Sequence, residues 1–127
     1  MLDTFWTNYK KVADKQNIDY FQVVIDSKAA TASGKSCPKT TFSDPEGNPH
    51  SLSEFFGKGK SLYIDIWATW CIPCCTEIPY VEKLVEHYKD NPRLQFISIS
   101  IDHNIDAWHK KLAKDKPQWQ QFITDKE

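Results

Sequence analysis

The stretch SLYIDIWATWCIPCCTEIPYVEKLVEHYK, residues 61–89, constrains this chain more than any other, because it carries a Cys-x-x-Cys pair from an apolar run onto the start of a helix. Residues Leu62, Tyr63, Ile64, Ile66 and Trp67 are β-branched, aliphatic or aromatic, the composition of a buried central strand rather than of an alternating surface one. Asp65 interrupts the run. Beyond Cys71, residues Ile78, Val81, Leu84, Val85 and Tyr88 fall on one helical stripe. Pro73 has no N–H to donate and suits the first turn of that helix, whereas Pro79 lies deeper and is expected to kink it.

A cysteine at a helix start sits near N–H groups that have no intrahelical partner and near the positive end of the helix dipole, which favours thiolate over thiol. Cys71 is therefore the expected nucleophile. Cys74 lies one turn later on the same face, within the Cα separation of about 5 to 6 Å that a disulfide prefers. It is the expected resolving thiol and the more buried of the two. A carboxylate in a buried strand is costly unless it is paired, neutralised or useful. Asp65, six residues ahead of Cys71, is the expected proton partner of Cys74, directly or through water, with a pKa raised by desolvation. Glu77 is a second candidate for that task, and Trp70, Ile72 and Pro73 are candidates to contact substrate.

The plainer alternative makes Cys71 and Cys74 structural, or zinc ligands together with Cys75 and Cys37. A structural zinc site usually takes two Cys-x2-Cys knuckles, and Cys37 makes a weak second half. Cys75, about 100 degrees round the helix, is expected to pack beneath the site. Cys37 is expected to be a partly buried thiol. His50, His87, His103 and His109 have no ligand spacing. No metal or cofactor is expected, the working group being the Cys71–Cys74 pair itself.

With 127 residues, 40% of them hydrophobic and 13% aromatic, the chain has material for one globular core. The formal charge of −1 gives no electrostatic footprint for nucleic acid or an anionic membrane surface. No segment approaches the roughly 18 consecutive apolar residues of a membrane span. The start, MLDTFWTNYKK, lacks the basic lead and apolar core of a signal peptide.

In residues 1–33, Phe5, Tyr9, Val12 and Ala13 have helical spacing that Ile18, Phe21, Ile25 and Ala29 continue, so a helical extension is expected, with TASGKS at 31–36 as linker. The remainder, 34–127, reads as the main domain. It opens with a strand at Thr40–Ser43, a turn at DPEGN, a return strand at His50 and Ser51, and a helical turn capped by Ser53. Leu94–Ile101 reads as a second buried strand, parallel to the first through the helical crossover. Asn104 or Asp102 is expected to cap a helix reaching about Lys114, and 118–127 reads as a loop or the start of a strand.

The motif Asp65-x-Trp67-Ala68-x-Trp70-Cys71-x-Pro73-Cys74 closely resembles the active site of the thioredoxin superfamily. Glu77-Ile78-Pro79 and the preceding GKSCPKTTFSDPEGNPHSLSEFFGKGK resemble its TlpA/ResA branch of extracytoplasmic thiol-disulfide oxidoreductases. The resemblance implies an α/β thioredoxin-like fold, a central mixed sheet flanked by helices. It implies that Cys71 attacks, Cys74 resolves, and Asp65 and Glu77 assist proton movement in an enzyme that exchanges disulfides with protein substrates as a reductant. An upstream electron donor and a periplasmic setting follow from the same resemblance, a cytoplasmic one being the alternative. Two strands, a final helix and the cis-proline segment of that family have no counterpart here. A truncated domain is therefore expected, with an unpaired sheet edge at 94–101 or an oligomer that covers it. Competing functions are a copper-binding module through Cys71 and Cys75, an inactive remnant, and a peroxidase, whose Pro-x-x-x-Thr-x-x-Cys pattern is missing.

Overall fold

The computed structural model describes residues 2–30, 32–37, 39–57 and 59–124, and divides into two compact units, Met1–Pro38 and Lys39–Glu127. The first holds two helices, α1 (Leu2–Tyr9) and α2 (Lys15–Ala30), where the apolar spacing had suggested one continuous run. Asp14 makes the break: its carboxylate accepts the Asn17 N–H at 2.9 Å and so starts a new helix. Tyr9 stacks on Phe5 and Trp6 and meets Phe21 edge-on at 5.3 Å, which joins the two helices. Residues 32–36, expected as linker, belong to this unit.

The second unit is a five-stranded mixed sheet in the order β2-β1-β5-β4-β3. The strands are β1 (Thr41–Ser43), β2 (Pro49–Ser51), β3 (Ser61–Trp67), β4 (Leu94–Ser100) and β5 (Gln120–Thr124). Strands β1 and β2 form the expected hairpin, in which the Asp44 carboxylate accepts the Glu46 and Asn48 N–H groups and Gly47 adopts φ 85°. A 3-10 turn, Leu52–Phe55, follows, and its cap is Ser51 rather than Ser53: Ser51 and Glu54 close a reciprocal capping box.

Helix α3 (Ile72–Tyr88) crosses from β3 to β4, and α4 (Ile105–Asp115) from β4 to β5; both pairings, β3 with β4 and β4 with β5, are parallel. Helix α3 continues through Pro79. Among the described residues, no helix is long and apolar enough to cross a membrane.

Two expectations about the sheet are corrected. The 94–101 strand is not an edge: residues 120–124 form β5, which pairs parallel with β4 and antiparallel with β1. The buried interior strand is therefore β4, flanked by β5 and β3, and the 61–67 strand pairs with β4 alone among the described residues. Composition does not separate the two because both are rich in Ile and aromatic side chains. What separates them is the number of neighbours, and Ile66 is 53% exposed while Ile99 is 5% exposed.

Strand alternation splits the core between the two faces of the sheet. Phe42, Leu52, Phe55, Ile97, Ile99 and Phe122 fill one face beneath the hairpin and the 3-10 turn. Trp67, Trp108 and Ile123 fill the other, with Cys74, Cys75, Ile78 and Leu112 of α3 and α4 packed on them. Because the β3–β4 register sets Asp65 against Ser98 and Trp67 against Ser100, these four residues share the helix-covered face. The polar floor of the site is thus built by register.

Candidate active site

Cys71 is the N-cap of α3: its backbone is extended, with φ −86° and ψ 93°, and its Sγ accepts the Cys74 N–H at 3.3 Å. Pro73 falls in the first helical turn, where its missing donor is harmless. Cys71 and Cys74 are joined as a disulfide with Cα atoms 5.2 Å apart. Both cysteines are half-buried, and Cys74 is the one that packs on the Trp67–Trp108–Ile123 cluster. Inner and outer sulfurs are thereby distinguished. In the reduced protein the helix N-terminus favours the thiolate of Cys71.

Around the outer sulfur the surface is apolar and open: Trp70 is 64% exposed and Ile72 79%. Pro73 is exposed beside them, so these three candidates stand together at the mouth of the site. Glu77 lies on the exposed side of α3.

Asp65 is half-buried on β3, and its pKa is raised, burial pushing it up against a weaker downward pull from the Ser98 hydroxyl. That hydroxyl donates to Asp65 Oδ2 at 3.0 Å and accepts the Trp119 indole N–H at 2.8 Å. A cavity of about 10 Å³ is lined by Asp65, Trp67 and Ser98 of the sheet, Ile78 of α3, and Leu112, Asp115, Pro117 and Trp119 in and after α4. That volume is at the lower limit for one water molecule.

Two further free thiols take different positions. Cys75 is half-buried beneath the site, as expected, and its Sγ–H donates to the Ala68 carbonyl at 3.5 Å. Cys37 is exposed, not partly buried, because residues 32–37 lie open to solvent in the first unit. No group of three or more His, Cys, Asp or Glu side chains among the described residues is arranged to hold a metal ion.

The site also contains residues that motif reading missed. Ser98 donates to Asp65 and accepts from Trp119, and Asp102, a candidate helix cap, turns back to the loop before Cys71 while Asn104 takes the cap, its Oδ1 accepting the Ala107 N–H. One signal was present: Ser98 and Ser100 alternate with isoleucines in a buried strand, and small hydroxyls in such a place need partners.

A mixed five-stranded sheet with helices over it, and a Cys-x-x-Cys disulfide at the N-terminus of the helix that follows β3, define a thioredoxin-like dithiol protein. The chain belongs to the Redoxin family, whose model matches residues 32–125. It is 40% identical over 62 residues to the thiol-disulfide oxidoreductase ResA of Geobacillus kaustophilus, a match covering 49% of this chain and 34% of that protein. Against ResA of Bacillus subtilis the identity is 27% over 89 residues, covering 70% of this chain and 48% of the relative. The chain thus spans less than half the length of either. The thioredoxin domain of a thiol-disulfide oxidoreductase from Bacteroides vulgatus superimposes with a TM-score of 0.63 at 33% identity, covering 74% of this chain and 65% of that one.

Proposed function

We propose that this protein is a thiol-disulfide oxidoreductase that reduces disulfides in protein substrates. The observation that carries this reading is Cys71 as helix cap, bonded to Cys74 and flanked by exposed Trp70 and Ile72. In the reduced enzyme, the Cys71 thiolate attacks one sulfur of a client disulfide, forms a mixed disulfide and expels the other client sulfur as a thiolate, which takes up a proton. Cys74 then loses its proton and attacks Cys71 Sγ. The second client thiol leaves, and the Cys71–Cys74 disulfide forms. Two electrons have passed from the dithiol to the client.

Asp65 is the group that takes the Cys74 proton, and its raised pKa and its place on the helix-covered face of the sheet suit it to that exchange. Glu77, exposed on α3, assists from the solvent side. Trp70, Ile72 and Pro73 form the apolar surface on which the client chain rests. A donor dithiol from a partner returns the oxidised form to the reduced one.

An extracytoplasmic setting and a reducing role are what the resemblance to the TlpA/ResA branch implies, and the relatives named ResA are in keeping with that branch. Cell fractionation that places the protein in the cytoplasm overturns the setting. Pairing of two copies along the outer edge of β3 is the oligomer that its exposed Ile64 and Ile66 support, and a monomer by light scattering removes it. Insulin reduction with dithiothreitol tests the activity: wild type is expected to outpace both Cys71→Ser and Cys74→Ser, and Cys74→Ser is expected to accumulate the mixed disulfide. Equal rates for all three proteins rule the activity out.

A further inference from the structure

Between Trp67, the last residue of β3, and Cys71, the cap of α3, runs a three-residue loop, Ala68–Thr69–Trp70. Its conformation sets where the outer sulfur stands. The Trp67 carbonyl is held to β4 by the Ile101 N–H at 2.9 Å, and the Ala68 carbonyl takes the Cys71 N–H at 3.1 Å. Thr69 is gripped from the side. Its N–H donates to Asp102 Oδ2 at 2.9 Å, and its hydroxyl donates to Asp102 Oδ1 at 2.6 Å. Ser100 completes the grip: its hydroxyl donates to Asp102 Oδ2 at 2.6 Å and accepts the Asp102 N–H at 3.0 Å.

Asp102 is 3% exposed and Ser100 fully buried. Taking a carboxylate out of water carries a penalty that only well-placed donors offset, and here three donors converge on its two oxygens. Both hydroxyls can rotate to accept, so an amide at this position could keep the clamp, and only removal of the side chain abolishes it.

We infer that Asp102 is a positioning residue of the dithiol: by clamping Thr69 through both carboxylate oxygens, it fixes the loop that seats Cys71 Sγ against the first N–H groups of α3. The inference deepens the oxidoreductase reading and rests on it for its consequence. Its test reads the thiol directly and needs no turnover. A Cys71 displaced by a fraction of an ångström loses alignment with those N–H groups, and the thiolate loses their stabilisation.

The experiment follows iodoacetamide alkylation of Cys71 in the reduced full chain from pH 5 to 9, with the modified residue located by mass spectrometry. Thr69→Val removes one bond of the clamp without changing charge. It is expected to move the alkylation midpoint to higher pH, with alkylation about fivefold slower on the acid side, the size of losing one helix-cap interaction. Thr69→Ser keeps the hydroxyl and is expected to follow wild type. Asp102→Ala, which removes clamp and charge together, separates positioning from simple charge. Removing a nearby anion would by itself favour the thiolate and lower the midpoint, whereas loss of the clamp raises it.

A raised midpoint in both Thr69→Val and Asp102→Ala supports the inference. A wild-type profile for folded Thr69→Val overturns it, as does a lowered midpoint for Asp102→Ala. Circular dichroism establishes folding, and if Asp102→Ala does not fold, Thr69→Val alone decides. Insulin reduction could fail in wild type while the Thr69 effect stands, so the two readings fail separately.

Discussion

Ser98 stands directly opposite Asp65 in the parallel β3–β4 pair and donates its hydroxyl hydrogen to Asp65 Oδ2 at 3.0 Å, while taking the Trp119 indole N–H at 2.8 Å. One buried hydroxyl therefore pulls the Asp65 pKa down against the larger upward push of burial. Removing it in Ser98→Ala takes away the pull that lowers the Asp65 pKa, so that pKa rises further. On the proposed role of Asp65 as proton acceptor for Cys74, the acid limb of the resolution pH–rate profile is expected to move to higher pH. The variant also leaves the Trp119 N–H without its acceptor, at a cost of about 1–3 kcal/mol in stability. Stopped-flow pH profiles and denaturant melts check both; an unmoved acid limb would separate Ser98 from the chemistry.

Asp65→Asn is expected to trade activity for stability. The folded state raises this carboxyl's pKa above its ordinary 3.8, so the folded protein binds the proton more tightly than the unfolded chain does. By linkage, wild-type stability falls as pH rises through the interval between those two values and stays lowered above it. The amide has no such dependence. Its melting temperature is expected to exceed that of wild type at pH 7 and to converge with it in strong acid, while mixed-disulfide resolution slows on the order of a hundredfold. Equal resolution rates would leave Asp65 no part in proton transfer.

The β1–β2 hairpin carries a pH window of its own. The His50 ring lies 3.1 Å from Glu54 Oε2 and 3.3 Å from Asp44 Oδ2, and these carboxylates, Glu54 foremost, raise its pKa above 6.5. The Asp44 carboxyl is lowered from 3.8 to about 2, chiefly by the Asn48 side chain. The histidine's contribution is complete below 6.5 and is lost as pH rises through its higher folded value. The aspartate's contribution is complete above 3.8 and is lost as pH falls toward about 2. Hairpin stability, followed by amide exchange of Phe42 and His50, is expected to peak between those limits. His50→Gln is expected to flatten the alkaline side and, because His50 also helps hold the Asp44 pKa down, to shift the acid side toward higher pH.

Lys116 ends α4 in the left-handed conformation, φ 48° and ψ 54°, while its N–H donates to the Leu112 carbonyl. A side chain with a Cβ is strained there, and glycine is not. Lys116→Gly is expected to stabilise the protein by about 0.5–1 kcal/mol, seen as a melting temperature a few degrees higher. A lower melting temperature would show that the lysine itself holds the turn into Pro117.

Much of the site was legible because its signals are local. Cys71, Cys74 and Pro73 sit within four residues, and helix-start chemistry depends on near neighbours in the chain. Asp65 was marked by its isolation among apolar residues. Thr69 and Asp102 were not legible as partners because 33 residues separate them, and Asp102 next to Asn104 looked like either of two caps for α4.

What the sequence determined by itself was the order of strand, helix and strand, the start of α3 at Cys71, and the pairing distance of its two sulfurs. Each follows from periodicity or from groups a few bonds apart. Only the tertiary structure decided that β4 rather than β3 lies inside the sheet, that residues 120–124 close onto it, that Ser98 and Trp119 line up on Asp65, and that Asp102 grips Thr69 in the loop before Cys71. Strand neighbours and register are set by which faces bury together, and that is a property of the whole sheet, not of any one segment.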